Sequence, residues 1–329
     1  MRTTSRLTTQ ACVLAGIALA AAMAPINAHA DEGGVSFWLP GQFGSLAAVP
    51  GEPGWSLAAV YYHDSADAPR SKNFTVGGNV VGGIDGHADL LFLAAQYIFP
   101  EPLWGGQAAL MLTGAGGRMK TTADVTVTGP LGNLISQSQT DTLDAGADLY
   151  PLASIKWNAG VDNYMVYMMG DIPTGAYRKG RLANIGIGHG AIDGGGGYTY
   201  FDTKNGHEFS IVGGVTYNFE NNDTDYKNGV DGHVDWAASQ FLSEATHVGI
   251  VGYNFFQLSG DSGSGAVLGP FKSRTNGVGP QVGHFFPVNG SKGYVNLKAY
   301  WEYGAANRAS GWNLWVSLLL PLSPPPSKP

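Results

Sequence analysis

Apolar and polar residues alternate along most of the chain beyond residue 54. In the stretch 208–220, apolar or glycine residues hold one parity, namely Phe209, Ile211, Gly213, Val215, Tyr217 and Phe219. The stretch 294–303 repeats this pattern, with Val295, Leu297, Ala299, Trp301 and Tyr303 on one face. Side chains on a strand point alternately to opposite faces, so this period of two predicts strands with one apolar and one polar face.

Twelve such stretches are predicted, and their length separates two kinds of β protein. The predicted strands are 55–63, 86–99, 107–120, 142–157, 161–172, 189–202, 207–220, 230–242, 246–259, 273–286, 292–303 and 311–320. A soluble sandwich also alternates, but its strands are usually about 5–6 residues long. Runs of about ten residues are typical of outer-membrane barrels. The predicted fold is therefore all-β, a transmembrane antiparallel β-barrel of about twelve strands.

The predicted connections alternate between long and short. Long ones are expected around 64–85, 121–141, 173–188, 221–229 and 260–272, and short ones at 100–106, 158–160, 203–206, 243–245 and 287–291. Outer-membrane barrels have short periplasmic turns and longer external loops, and an even strand number returns both ends to the periplasm. The connections support the same fold.

The first thirty residues have the composition of a signal peptide. Arg2 and Arg6 precede an apolar run at 11–24, and Ala28-His29-Ala30 supplies the small residues of a cleavage site. We therefore divide the chain into a signal peptide at 1–30, an N-terminal segment at 31–54, a barrel at 55–321 and a disordered, proline-rich tail at 322–329. The segment 31–54 does not alternate, and it is predicted either to plug the lumen or to extend along the periplasmic mouth.

Composition narrows the functional classes. Glycine makes up 49 of the 329 residues, about twice its usual share. Charged residues make up 13%, about half their usual share. The net charge of −7 gives no electrostatic basis for binding nucleic acid. The single cysteine, Cys12, lies in the predicted signal peptide, which excludes a disulfide framework. No nucleic-acid partner and no cofactor are predicted.

Candidate chemistry is concentrated on the face expected to line the lumen. The predicted lumenal residues are Asp85, His87, Asp89, Met165, Tyr167, Met169, Asp171, Glu208, Asp231, His233, Asp235, Lys298, Tyr300 and Glu302. Two Asp-x-His-x-Asp triplets stand out, and if they faced each other they could hold a metal ion. A hydrated row of polar side chains is the simpler interpretation, and no metal site is predicted. Methionine and aromatic side chains suit flat apolar solutes.

Signals for catalysis are weak. His63-Asp64-Ser65 has the His-x-Ser spacing of outer-membrane phospholipases, but an Asn or Asp partner cannot be named from the sequence. No catalytic residue is predicted.

Several stretches resemble a known family. These are GGVSFWLPGQFGSLAAVPGEPGW from residue 33, DLYPLASIKWNAGVDNYMVYMMGDIPTGAY from 148, RLANIGIGHGAIDGGGGYTY from 181, HEFSIVGGVTYNFEN from 207, GPQVGHFFPV from 279 and GWNLWVS from 311. They resemble the outer-membrane proteins linked to the meta-cleavage pathway of phenol degradation. That resemblance implies an outer-membrane barrel that passes hydrophobic aromatic compounds, and it brings no catalytic or binding residues.

The sequence therefore predicts a passive outer-membrane channel for small hydrophobic, aromatic compounds, and not an enzyme. Its expected partners are outer-membrane lipid, such solutes and the barrel-assembly machinery. An outer-membrane enzyme of the phospholipase type and a purely structural barrel remain as alternatives.

Overall fold

The computed structural model describes residues 32, 36–128, 134–288 and 290–322. Twelve antiparallel strands form one closed barrel in this part of the chain. The strands are β1 (Gly54–Val76), β2 (Asn79–Ile98), β3 (Gln107–Thr128), β4 (Leu134–Ala159), β5 (Asp162–Asp171), β6 (Ala191–Asp202), β7 (His207–Asn218), β8 (Asp231–Phe241), β9 (Thr246–Gln257), β10 (Arg274–Val288), β11 (Ser291–Ala306) and β12 (Ser310–Pro321). The predicted fold class and strand count are confirmed. The predicted signal peptide and tail residues 323–329 lie outside the described residues.

The barrel closes between its first and last strands. Ser56 of β1 pairs with Pro321 of β12, and Asp67 pairs with Ser310. Every other strand pairs with its neighbours in sequence, so each backbone edge is hydrogen-bonded within the wall. The start of β1 and the end of β12 lie at the same rim of the barrel, which we call the short-turn end. The connections 172–190, 219–230 and 258–273 lie at the opposite, loop end.

The first four strands extend further than their pattern predicts. β1 and β2 meet in a two-residue turn, Gly77-Gly78, whose φ angles of 56° and 82° lie in the left-handed region. Most of 64–85, expected as a loop, is therefore strand, and β3 and β4 likewise extend to Thr128 and Leu134. These extensions stand beyond the apolar outer belt. Neither face of the strands needs to be apolar there. The alternation of apolar and polar residues is therefore lost, although the backbones remain paired.

The alternation places an apolar belt on the outside of the barrel. Side chains that are at least a third exposed on this belt include Leu57, Leu91, Leu93, Leu110, Leu112, Val166, Met168, Ile211, Val215, Ile250, Val282, Leu297 and Trp301. On the opposite parity lie buried side chains such as Asn218, Asn296 and Lys298. This distribution is that of a barrel with a lipid-facing exterior and a mixed interior. Among the described residues, no helix has the length and apolar character needed to cross a membrane.

Candidate functional site

Residues 36–49 pack against inward-facing side chains of the barrel, residues 50–53 lead from there to β1, and we call residues 36–53 the inner segment. They begin with a tight turn in which the amide of Gln42 donates to the carbonyl of Leu39 at 3.3 Å. Pro40 and Gly41 occupy its two central positions, and Gly41 has a φ of 88°. Proline followed by a residue with positive φ is the sequence of a type II turn. A Cβ on Gly41 would lie 2.9 Å from the ring of Tyr300, so both the turn and its surroundings require glycine.

Two oppositely charged side chains hold this turn from opposite sides. The carboxylate of Asp235 on β8 accepts hydrogen bonds from the amides of Gly41 and Phe43, both at 3.0 Å. The ammonium of Lys298 on β11 donates to the carbonyls of Gly41, Gln42 and Phe43 at 2.6, 3.2 and 3.2 Å. Both side chains are buried. Buried charges are stable only when paired and hydrogen-bonded, and the backbone of the inner segment supplies those bonds.

An aromatic contact holds the inner segment next to this turn. The indole of Trp38 is fully buried and stacks on the imidazole of His233, with ring centroids 3.4 Å apart. Nε2 of His233 lies 2.9 Å from Oδ2 of Asp193, which also accepts from the hydroxyl of Thr216 at 2.6 Å. The hydroxyl of Tyr167 lies 3.4 Å from the same imidazole nitrogen. The Nε2 edge of His233 is thus held by Asp193 and Tyr167, and its ring presents one face to Trp38.

The inner segment continues to the short-turn end through further bonds. Glu208 accepts from the hydroxyl of Ser45 at 2.7 Å and from the amide of Leu46 at 3.0 Å. Further along, Lys156 donates to the carbonyl of Val49 at 3.3 Å. Four charged interior side chains therefore bind the inner segment, namely Lys156, Glu208, Asp235 and Lys298.

Glu32 lies at the loop end. Its carboxylate accepts from Tyr177 at 3.1 Å, Asn221 at 2.9 Å and Thr224 at 3.1 Å. Burial raises the pKa of Glu32 above its usual value of 4.5. The N-terminal residues therefore reach from the loops at one end to the start of β1 at the other.

Two adjoining cavities remain beside the inner segment, along the wall formed by β1 to β5 and β12. The outer cavity, toward the loop end, has a volume of about 180 Å³ and a mixed polar and apolar lining, in which the charged residues are Glu32, Asp64, Glu302 and Arg308. The inner cavity has a volume of about 190 Å³. Its lining residues are Phe37, Leu39, Gln42, Phe43, Ala58, Val60, Phe92, Ala94, Met111, Thr113, Tyr150, Leu152, Met169, Trp315 and Ser317. None of these described lining residues carries a charge.

Four side chains line both cavities, namely Phe37, Leu39, Phe92 and Tyr150. The ring of Tyr150 lies 6.1 Å from that of Phe37 and 6.3 Å from that of Phe92, centroid to centroid. Phe37 and Leu39 belong to the inner segment, whereas Phe92 and Tyr150 belong to the wall. The side chains that border both cavities therefore come in equal number from the inner segment and from the barrel wall.

Most of the predicted lumenal residues lie inside the barrel. Met165 and Tyr167 are buried against Trp38, Met169 lines the inner cavity, and Asp171 is buried on the same face. Asp231 accepts from Asn218 at 2.8 Å, and Glu302 accepts from Tyr253 at 2.8 Å. Tyr300 donates to the carbonyl of Gly41 at 3.2 Å.

The prediction for the first Asp-x-His-x-Asp triplet was wrong. Asp85, His87 and Asp89 were expected to line the lumen, but they lie on the outward face of β2. The neighbouring Ala88 is buried, whereas the side chains of Asp85 and Asp89 are 61% and 45% exposed. They follow the same parity as Leu91 and Leu93 of the lipid-facing belt. The two triplets therefore do not face each other. In the described part of the chain, no three His, Cys, Asp or Glu side chains are close enough to share a metal ion.

The outward face also holds the candidate hydrolase residues. Nδ1 of His63 lies 2.8 Å from Oδ1 of Asp89, and the His63 ring packs on Trp312 at 4.8 Å. Ser65 lies on the same face, two residues along β1. Within the described residues, no hydrogen bond joins Ser65 to His63. The arrangement contains a His–Asp pair without a serine bonded to it.

Sequence reasoning missed Gln42, Asp193 and Lys156. Asp193 precedes the run Gly194 to Gly197, which has no alternation, and Gln42 and Lys156 act on partners far along the chain. A local pattern carries no signal for such contacts.

Comparisons with known proteins agree on the architecture. The family model described as "Putative MetA-pathway of phenol degradation" matches residues 70–318, as the sequence resemblance predicted. An outer membrane channel from Pseudomonas putida F1 is similar in fold, with a TM-score of 0.65 at 13% identity, and the alignment covers 86% of this chain and 99% of that one. No curated protein matches the chain in sequence.

A Pseudomonas aeruginosa FadL homologue aligns with a TM-score of 0.42 and 7% identity, over 80% of this chain and 89% of that one. The translocator domain of autotransporter NalP from Neisseria meningitidis aligns with a TM-score of 0.43 and 11% identity, over 83% of this chain and 90% of that one. The similarity to the Pseudomonas putida channel, with its TM-score of 0.65, assigns the described residues the fold of an outer-membrane β-barrel.

Proposed function

We infer the function from one premise, which is that this chain belongs to the phenol-degradation family whose model it matches and is an outer-membrane β-barrel. We propose that it is a passive channel for small hydrophobic, aromatic compounds. The observation that carries the proposal is the pair of adjoining cavities, of which the inner one has no charged lining residue. A solute that is weakly held by aromatic and thioether groups can enter and leave by diffusion.

We further propose that the inner segment is a plug that narrows the lumen to this apolar passage. Its support is the chain of bonds from Glu32 through the Asp235 and Lys298 turn to Val49. A water-filled pore of general specificity needs an open polar lumen, and here Lys156, Glu208, Asp235 and Lys298 bind the segment instead. Of the two cavities beside the segment, the inner one has a lining without charge.

The proposal places the short-turn end in the periplasm and the loop end outside the cell, as is usual for such barrels. Export by a signal peptide cleaved near Ala30, and insertion by the barrel-assembly machinery, belong to the same proposal.

Uptake by intact cells tests the channel. Aromatic solutes dissolve in simple bilayers, so the assay uses bacteria with a complete outer membrane that lack their own copy of the gene. Ala94 lines the inner cavity, whereas the next residue, Ala95, is exposed on the lipid-facing side of the same strand. We expect Ala94→Trp to reduce uptake of labelled toluene at low concentration to the rate of cells without the protein. Ala95→Trp is the matched control and should transport like the wild type.

Equal toluene uptake by cells with the wild type, with Ala94→Trp and without the protein would refute the channel. Rapid uptake of charged sugars through the wild type would also refute it, because a charged solute cannot cross an uncharged apolar cavity without a large desolvation cost.

A further inference from the structure

The outward face of β2 and β3 combines large and small residues rung by rung, a rung being two residues directly opposite each other on the two strands. Leu91 and Leu93 of β2 are 47% and 58% exposed, and they pair with Gly116 and Gly114 of β3. Each leucine therefore projects beside a hollow where the neighbouring strand has no side chain. Among the described residues, a Cβ on Gly114 would meet only the tip of the Leu149 side chain, at 3.3 Å. The hollow thus has room for a side chain from outside the barrel.

The next rung toward the loop end carries opposite charges. Asp89 of β2 pairs with Arg118 of β3, and their side chains are 45% and 61% exposed. Oδ1 of Asp89 lies 2.6 Å from the hydroxyl of Tyr61 and 2.8 Å from Nδ1 of His63. Arg118 donates from Nε and Nη2 to Asp144, at 2.8 and 3.0 Å. A guanidinium has five N–H donors and a carboxylate has two oxygens, so both groups can form further bonds outside the barrel.

A second copy of the chain would meet this face with every rung reversed. Two barrels inserted in one membrane point the same way, so a two-fold axis between them runs along the membrane normal. An axis between β2 and β3 places β2 of each copy against β3 of the other. Strands about 4.8 Å apart and tilted by about 40° leave the two residues of a rung about 3 Å apart in depth. Asp89 then faces the partner's Arg118, and Leu91 and Leu93 face the hollows of the partner's β3.

Packing and charge coincide on this face. In lipid, apolar surface alone does not drive association, which depends on close packing and on polar contacts. The outward face of β5 and β6 also pairs a large residue with a small one, since Met168 lies opposite Gly194. The next rung there toward the loop end consists of Gly170 and Ile192, which carry no charge. Close packing joined to a complementary charge pair therefore favours β2 and β3.

We propose that two copies of this chain associate in the outer membrane through the outward faces of β2 and β3, with the leucines of each β2 packed over the glycines of the partner's β3 and Asp89 bonded to the partner's Arg118. The symmetric arrangement forms each contact twice and closes at a dimer. The inference does not rest on the proposed channel function, because the cavities lie on the opposite face of these strands.

Chemical cross-linking in the outer membranes of intact cells tests the dimer. The only cysteine of the chain, Cys12, lies in the predicted signal peptide, so an introduced cysteine is unique in the exported protein. Leu91→Cys lies close to the proposed axis and should give a dimer band with a short bifunctional thiol reagent. Met168→Cys is the matched control, because Met168 lies three strands away along the wall and is 61% exposed. It should give only the faint band of chance collisions.

The charged rung allows a test that only contact between copies can pass. In the Leu91→Cys protein, Asp89→Arg makes both members of each pair positive and Arg118→Asp makes both negative. Either variant expressed alone should therefore lose the dimer band, because like charges then face each other. The two variants expressed together, one of them lengthened by a tag, restore opposite charges across the interface and should give the mixed dimer. This recovery cannot come from contacts within one chain, because neither chain has been corrected.

Filling the hollow tests the packing. Gly114→Leu places a side chain where the partner's Leu93 packs, and it should reduce the dimer band at least about tenfold. Gly194→Leu is the matched control, because Gly194 is exposed on β6 and its Cβ would meet its nearest neighbour, a carbonyl oxygen, at 3.9 Å. It should leave the band unchanged. Heat-modifiable migration on a detergent gel identifies the variants that are folded barrels.

Three results would overturn the proposal. A Leu91→Cys band no stronger than that of Met168→Cys would mean that lipid alone covers this face. Folded charge variants that give no mixed dimer would exclude the Asp89 and Arg118 contact. A dimer band that is unchanged in Gly114→Leu would exclude the packing of leucine over glycine.

Discussion

Replacing Gly41 by alanine should release the inner segment from the barrel. Gly41 has a φ of 88° in the turn that Asp235 and Lys298 hold, and its carbonyl accepts from Tyr300. An added Cβ would lie 2.9 Å from two atoms of the Tyr300 ring and 3.0 Å from the ring of Tyr253. Both rings are almost fully buried, so neither can move aside without disturbing its own packing.

The expected loss of docking free energy is the sum of two contributions. A left-handed backbone costs an alanine about 1–2 kcal/mol relative to glycine. Forcing a methyl group into well-packed surroundings costs about 1–3 kcal/mol more. Together they disfavour the docked segment by about 2–5 kcal/mol, which raises the undocked fraction at least about 30-fold. Gly44 provides the matched control, because its backbone is not left-handed and its Cβ would meet no ring or backbone atom, only the side chains of Lys298 at 3.3 Å and Gln281 at 3.8 Å.

Two assays report the undocked fraction. Ion conductance of single barrels in planar bilayers should show larger or more frequent openings for Gly41→Ala, because the lumen is then open to water. Proteolysis within residues 36–53 should accelerate in proportion to the undocked population, provided that the segment opens and closes faster than it is cut. Gly44→Ala should behave like the wild type in both assays. Conductance and proteolysis rates of Gly41→Ala equal to those of the wild type would refute the plug.

Three further outcomes are expected. Lys298→Met removes the donor to three carbonyls and leaves Asp235 without its counter-charge, so it should favour the undocked segment by about 3–5 kcal/mol and raise conductance. Because burial raises the pKa of Glu32, its docking is strongest below pH 4.5 and weakens as the pH rises through the raised value. N-terminal proteolysis should therefore accelerate with rising pH, and Glu32→Gln should abolish that dependence. Leu297→Cys should react with a lipid-soluble thiol reagent and Asn296→Cys should not, whereas the reverse pattern would contradict the assigned faces.

The barrel could be predicted because lipid imposes a local pattern. In β7 and β11 one face must be apolar, so Phe209 and Leu297 identify the outside without knowledge of any partner. In β2 both parities are apolar, since Leu91 and Leu93 lie outside while Phe92 and Ala94 lie inside. The sequence alone could not decide which parity of β2 faces the lumen, so Asp89 was predicted to lie on the wrong face.

The interior of the barrel was less predictable for a different reason. Asp235 and Lys298 were expected to line a hydrated lumen, because each lies on the more polar face of its strand. Their partners are backbone atoms of Gly41 and Phe43, nearly two hundred or more residues away in the chain. Backbone groups are present at every residue, so no side-chain pattern marks the ones that a buried charge will bind.

The partners of the inner segment also determine when it can fold. Trp38 stacks on residue 233 and Gly41 bonds to residue 300, whereas β1 follows within about fifteen residues of either. Although the inner segment precedes β1 in the chain, it therefore has no complete binding site until β8 and β11 are in place. Contacts across such long stretches of chain are slow to form, because the loop must be closed before any bond offsets the lost entropy. Docking of the N-terminal residues therefore cannot be completed before β8 and β11 are in place, and a barrel whose N-terminal residues have not docked is expected to conduct more freely.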